Sequence, residues 1–297
     1  MRKLAIISLG EVLWDLFSDG ERFGGAPANF ACHAALQGAD VAMLSAVGDD
    51  ERGREAVRIL SGYRIDVSLI QVIPDAPTGT VGVQLDENGK PTFQIHQDSA
   101  WDGLRWNDEI ASRIRSADAV YFGTLGQRSE VSRQTIRRAM ETAAAAGIPR
   151  VVDINLRPPF FDANLIRDSV QLATILKLSD DELGEVCSAC GVDERVHDEA
   201  MLRGLLEFGD LDMVVMTRGA EGAELVTKEC VIDRKGIPAN LVDTVGAGDS
   251  FTAAFLIGEL RGEPHHDCLR KACEVAAAAC SHSGAVPTHA IEKTHRG

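Results

Sequence analysis

GGAPANFACHAALQGADVAMLSAVGDDERGREAVRIL, residues 24–60, decides the fold class. Two glycines lead into APANFACHAALQ (26–37), which has helical composition, with Pro27 near the helix start, where a missing N–H does no harm. Ala39–Val47 follows as a continuous apolar run of strand length, and Glu51–Leu60 returns to a helical pattern. An apolar strand set between helices belongs to a parallel sheet covered on both faces.

Outward from this stretch the alternation continues. Leu4–Leu9 is a strand candidate that ends at Gly10. Ala119–Phe122, Arg150–Ile154, Ile175–Leu178 and Met213–Met216 are further buried strands, with helices such as Glu130–Ala145 between them. Sheets of this kind bind ligands at the carboxyl ends of their strands. Two segments break the pattern. Residues 11–25 hold charges and glycines directly after the first strand. Residues 78–96 (TGTVGVQLDENGKPTFQIH) alternate at Val81, Val83 and Leu85, turn at DENGK, and alternate again at Phe93 and Ile95, which predicts a β-hairpin. An antiparallel insertion in a parallel α/β chain suggests a small lid; an edge hairpin with no role is the alternative. No repeat, low-complexity tract or linker divides the chain, so one domain over 1–297 is expected, with a lid from about 11–25 and 78–102.

Composition narrows the function. The 297 residues are 45% hydrophobic and 25% charged, enough for a core that needs no disulfide or metal. A net charge of −15 argues against nucleic acid, whose binding requires a basic surface. Seven cysteines, odd in number and irregular in spacing, read as reduced thiols of a cytoplasmic protein. Cys187 and Cys190 form one CxxC with no second ligand pair at a zinc-like spacing. Cys268, Cys273 and Cys280 read as core. The opening MRKLAIISLGEVLWD lacks the long apolar run and cleavage site of a signal peptide, and no stretch approaches the ~20 apolar residues of a membrane span.

The chemistry-bearing motifs fall at successive strand ends. No GxxxxGK[ST] occurs, nor HExxH nor GxSxG. DTVGAGDSF (243–251) precedes a predicted helix. The small residues Gly246, Ala247 and Gly248 let backbone amides at a helix start approach an anion, and Asp249 beside them can take a proton from an attacking hydroxyl. A glycine turn with a capping Asp fits the same letters equally well. Gly24-Gly25 and Asn29 form a helix entry, and Asp15 shortly before could hold neighbouring sugar hydroxyls. Asp153-Ile-Asn155-Leu-Arg157 ends an apolar strand; Lys177-Leu-Ser179-Asp-Asp-Glu182 ends another and also fits a capping box; Thr217-Arg-Gly219-Ala-Glu-Gly222 ends a third and also fits a tight turn.

With these motifs in this order the chain resembles the ribokinase-like, or PfkB, family of carbohydrate kinases over nearly its whole length. GGAPANFACHAALQGADVAMLSAVGDDERG (24–53) and DTVGAGDSF (243–251) match its two signatures. The resemblance implies a three-layer α/β/α sandwich with a mostly parallel central sheet and a small β-sheet lid, ATP as donor, and Mg²⁺ beside its phosphates. It implies Asp249 as base and Gly246, Ala247 and Gly248 as the anion hole. Asp15, Gly24, Gly25, Asn29 and Arg157 fall at sugar-contacting positions, and Lys177, Thr217, Gly219 and Gly222 on the nucleotide side. Glu182 matches a residue tied to Mg²⁺ and phosphate, although Ser179 replaces the usual Asn. Asp243 and Thr244 match a loop that holds a monovalent cation such as K⁺. VAAAACSHSGAVPTH (275–289) is similar to the adenine-side segment, with Glu274 where Asn is common. GEVLWDLF, the short interval from Asp15 to Gly24, and DINLRPPFF resemble the fructokinase branch. The expected reaction is phosphoryl transfer from ATP to O6 of D-fructose, the alternatives being 2-keto-3-deoxygluconate, ribose or a nucleoside. A catalytically silent sugar-binding protein is a further alternative, and a homodimer through the lid is the expected assembly.

Overall fold

The computed structural model describes residues 2–85 and 91–287. The DENGK turn and residues Thr288 and His289 of the adenine-side segment lie outside that range. Thirteen strands are described: β1 Ala5–Leu9, β2 Leu13–Phe17, β3 Gly20–Gly24, β4 Asp40–Gly48, β5 Ile70–Ile73, β6 Gly79–Leu85, β7 Pro91–Ile95, β8 Ala119–Gly123, β9 Arg150–Asp153, β10 Ile175–Ser179, β11 Met213–Thr217, β12 Gly222–Thr227 and β13 Val231–Lys235. The helices among them are α1 Ala26–Leu36, α2 Glu51–Gly62, α3 Asp108–Arg115, α4 Glu130–Ala145, α5 Ala163–Leu172, α6 Asp180–Cys190, α7 Asp198–Phe208, α8 Ala247–Leu260 and α9 His265–Ala279.

Nine strands form one sheet in the order β13-β12-β11-β10-β9-β8-β1-β4-β5, parallel from β5 to β11 and closed by the antiparallel β12 and β13. The strands are apolar on both faces because both are covered. Ile6, Met43, Tyr121 and Val151 pack with α1, α2 and α8, whereas their neighbours Ile7, Leu44, Val120 and Val152 pack with α3 to α6. Successive side chains thus enter different layers, the period-2 rule applied to a sandwiched sheet. The expected three layers are present, and strand ends differ from the sequence reading by a residue or so, as fraying termini allow.

The second sheet has the order β3-β2-β6-β7. Its hairpin pairs Val81 with Ile95 as expected, but β6 runs parallel to β2, so the sheet is mixed rather than purely antiparallel. The expected span to residue 102 overshoots it: after Ile95 the chain leaves the sheet, and Ala100–Gly103 forms a 3₁₀ turn that buries Trp101 to 1% exposure. A large aromatic such as Trp101 gains more from the core than from a strand edge.

Cys187 and Cys190 lie in the core between α6 and α7 as free thiols. Burial pushes Cys187 up to about 12 and Cys190 up to about 11, which makes them poor nucleophiles and ligands. Among the described residues no cluster of three metal-binding side chains occurs and no helix is long and apolar enough to cross a membrane. Cys268 and Cys273 are core as expected; Cys280, just past α9, is only half-buried.

Candidate active site

The carboxyl ends of β1, β9 and β10 meet the start of α8 under the small sheet. They enclose a cavity of about 330 Å³ lined by Glu11, Asp15, Gly25, Asn29, Asp153, Arg157, Lys177, Gly246, Gly248 and Asp249. Phe17, Val81 and Ile95 of the small sheet complete one wall. β1 lies between β4 and β8, where the strand order reverses, the place at which such sheets open a crevice.

Asp249 stands in the first turn of α8 at 9% exposure. Asn29 Nδ2 donates to its Oδ2 at 2.9 Å, so α1 fixes the carboxylate's orientation. Burial, followed by the charge of Asp153, raises the Asp249 pKa to about 7. A carboxyl poised near neutrality suits a proton acceptor. Gly246 caps the helix in the left-handed region, φ 77°, without a side-chain cap. The Ala247 amide donates to the Thr244 carbonyl at 3.2 Å and the Ser250 amide to that of Gly246, whereas the Gly248 and Asp249 amides have no earlier helical carbonyl to bond and are available to an anion. Only glycine fits at 246, because a Cβ would collide with the Ala285 carbonyl. That carbonyl accepts from His33 Nε2 at 2.8 Å, and burial holds the His33 pKa low. One face of α1 therefore braces both Asp249, through Asn29, and the backbone behind Gly246, through His33.

Lys177 and Asp153 are Cα partners across the β10–β9 ladder, so their side chains share a face. Their buried ion pair is 3.1 Å long, and Thr252 of α8 donates to the second Asp153 oxygen at 3.2 Å. Burial works against the Lys177 ammonium, but Asp153, Glu182 and Asp249 outweigh it and raise its pKa. Lys177, expected among the nucleotide-side residues, thus reaches into the same cavity as Asp249. Burial raises Asp15 to about 6 against the opposing pull of Arg157 and Arg22.

Other expected residues are placed differently. Gly24 sits behind Asp15, where a Cβ would come within 2.6 Å of the carboxylate. Ala247 opens α8, and Thr244 lines the cavity. The Asp243 carboxylate accepts from Val245 N at 3.0 Å and Gly284 N at 2.9 Å, which ties the turn to the C-terminal segment. Both Glu182 oxygens are occupied: Leu156 N donates at 2.6 Å and Ser179 N at 2.8 Å, so the capping-box reading holds in the geometry. Thr217, Gly219 and Gly222 lie outside the cavity lining, at the β11–β12 turn. The end of the first signature is architectural as well: Asp50 caps α2 through Gly53 N at 2.7 Å and accepts from the Thr78 hydroxyl at 2.6 Å, joining α2 to the base of β6.

One cavity residue escaped the sequence reading of candidate roles. Glu11 is 3% exposed, burial raises it to about 7, and its Oε2 has no partner among the described residues. The signal was its position two residues past Leu9 at the carboxyl end of β1, within GEVLWDLF. Asp153, which the sequence places only within a strand-end motif, supplies the buried partner of Lys177.

A family model described as pfkB family carbohydrate kinase matches residues 4–291. Fructokinase-2 of Zea mays is 28% identical over 307 residues, covering 95% of this chain and 90% of its own. The structure of an uncharacterized sugar kinase of Pyrococcus horikoshii in complex with ATP matches with a TM-score of 0.81 at 27% identity, covering 94% of this chain and 93% of that one. Fructokinase from Vibrio cholerae in its fructose, ADP and calcium ion bound form matches with a TM-score of 0.81 at 26% identity, covering 98% of each chain.

Proposed function

The chain belongs to the pfkB family of carbohydrate kinases and is a phosphotransferase with an alcohol acceptor, and we propose that it transfers the γ-phosphoryl group of ATP to O6 of D-fructose. The observation that carries phosphoryl transfer is Asp249: buried, oriented by Asn29, raised to about 7, and set beside the open Gly248 and Asp249 amides of α8; the acceptor rests on Asp15, Asn29, Arg157 and the small sheet. The ionised carboxylate takes the proton of the attacking hydroxyl, and the amides around Gly246–Gly248 stabilise the negative charge that develops on the transferring group. Lys177, held by Asp153, adds a fixed positive charge at the same end of α8. The small sheet covers the acceptor and excludes water, which limits ATP hydrolysis.

Asp15, Gly25, Asn29 and Arg157 are assigned to the acceptor, and Thr217, Gly219 and Gly222 to the nucleotide. Exposed apolar side chains at Leu241, Val242 and Val245 fit a flat base beside the anion hole. Magnesium fits Glu182 only indirectly, since both carboxylate oxygens already accept backbone amides; phosphates and water would be its main ligands, with charge neutralisation as its contribution. A monovalent cation at the Asp243–Thr244 turn is part of the same reading, with potassium dependence of ADP release as its measure. The lining sets the carboxyls of Glu11, Asp15, Asp153 and Asp249 against only Arg157 and Lys177, an electrostatic balance that favours a neutral sugar over a sugar acid.

The test is ADP release by the purified protein with D-fructose, D-ribose, 2-keto-3-deoxygluconate and adenosine. D-Fructose should give the highest kcat/KM. A preference for the sugar acid or the nucleoside removes fructose, and tight sugar binding without any transfer replaces the kinase with a silent sugar-binding protein.

A further inference from the structure

We infer that Arg128 is a positioning residue for the acceptor site: it ties the root of the small sheet to the turn that carries Arg157. The inference rests on the reading of the small sheet as the acceptor's cover. Arg128 follows β8 and its side chain is 6% exposed. Its guanidinium donates to both Asp102 oxygens, at 2.8 and 2.7 Å, and to the His96 carbonyl at 2.7 Å, one residue beyond the end of β7. The same plane lies 3.9 Å from the Trp101 ring centroid and 4.8 Å from that of Phe160.

Each contact leads to a different part of the site. At the sheet root, the Trp101 ring packs so closely on Gly79, the first residue of β6, that a Cβ there would meet the indole at 2.5 Å. The Thr80 hydroxyl and His96 Nδ1 lie 2.6 Å apart, which links β6 to the same anchor. On the other side, Phe160 N donates to the Arg157 carbonyl at 2.9 Å and closes the turn that presents Arg157 to the cavity. A planar, permanently charged group can bond bidentately to a carboxylate and stack on two rings at once; an ammonium cannot. Arg128 touches none of the cavity-lining side chains through these bonds, so its effect on the acceptor is exerted through Val81, Ile95 and Arg157.

The experiment compares Arg128→Ala, Arg128→Lys and Phe160→Leu with the unsubstituted protein. Phe160→Leu removes one ring and leaves the Asp102 and His96 bonds, so it reports on the link even where the arginine variants fold poorly. Expected is a rise of about tenfold in KM for D-fructose, from loss of acceptor positioning. KM for ATP should stay within about twofold, and ADP released per fructose 6-phosphate should exceed one as water enters. Arg128→Lys should resemble Arg128→Ala. Independently of any sugar, amide hydrogen exchange should accelerate together at residues 79–81, 94–96 and 155–161 in the arginine variants, with β8 to β11 unchanged. Restoration of the fructose KM by Arg128→Lys overturns the inference, as does unaltered exchange at 155–161. A general loss of thermal stability with unchanged KM values marks a merely structural residue and overturns it too. If the unsubstituted protein does not phosphorylate fructose, the acceptor reading fails while the exchange measurement still decides the link.

Discussion

Two glycine turns in this molecule share a positive φ and differ in ψ and in surroundings. Gly222, φ 107° and ψ −134°, begins β12, and Gly246, φ 77° and ψ −3°, caps α8. At Gly222 a Cβ would collide with the carbonyl of Arg234 on β13, and at Gly246 with the carbonyl of Ala285. Both positions demand glycine for the same steric reason. The two turns differ in the element each one opens. After Gly222 the chain enters an antiparallel ladder, whose amides are bonded across the strands. After Gly246 it enters a helix, where the Gly248 and Asp249 amides have no earlier helical carbonyl to bond, beside the buried Asp249 carboxyl. A glycine turn is therefore not itself a site; the helix or strand beyond it makes it one.

The two turns should differ most in the effect of substituting Asp249. Asp249→Asn retains the shape and the Asn29 neighbour but cannot take a proton, and kcat should fall about 10²–10⁴-fold in the ADP-release assay. Turnover near normal would remove the distinction between the two turns. In the unsubstituted enzyme kcat/KM should decline as pH falls through about 7, where Asp249 becomes protonated.

Gly222→Ala sharpens the other side. It should lower stability by about 1–3 kcal/mol, the cost of forcing a side chain into strained backbone, read from denaturant unfolding, while kcat per folded molecule is retained. A fall in kcat comparable to that of Asp249→Asn would make the two turns functionally equivalent.

A smaller effect tests the chemistry that only the Gly246 region contains. Glu11 has a folded pKa raised to about 7 from an ordinary value of 4.5. Its stabilising contribution is complete below the unfolded value and is lost as pH rises through the folded value. Glu11→Gln lacks this loss. The variant should gain about 1–2 kcal/mol relative to the unsubstituted protein between pH 4 and pH 8, with coupling to Asp249 keeping the gain below the full linkage value. A stability difference independent of pH would mean that Glu11 is not a buried, ionising acid.

Much of this was legible in the chain itself because it depends on local chemistry. Apolar runs of strand length alternating with helical segments gave the parallel sheet, and Glu130–Ala145 was placed with the ends the helix has. Asp249, Asn29 and the Gly246–Gly248 turn are legible because the motifs that hold them fall in order at successive strand ends; the glycine turn alone fits a capping Asp equally well. The small sheet was less legible. Its hairpin alternates, but the parallel pairing of β6 with β2 joins segments some 60 residues apart, and nothing in either strand specifies its partner. Sequence neighbourhood places Trp101 with the expected lid, whereas its side chain turns into the core, 1% exposed.

The class of fold, the carboxyl-end placement of the polar motifs and the candidate base Asp249 with its glycine turn all follow from the pattern along the chain. These depend on periodicity, chain stiffness and residue type, which act over a few residues. Packing in three dimensions brings Lys177 into the cavity beside Asp153, sets a backbone amide on each Glu182 oxygen, and places Gly222 against the Arg234 carbonyl. The fold also makes Glu11 one of four cavity acids raised in pKa, with Asp15, Asp153 and Asp249. Burial, charge coupling and hydrogen-bond satisfaction are properties of neighbours in space, and here those neighbours lie 220 residues apart in the Asn29–Asp249 bond and 252 apart in the His33–Ala285 bond.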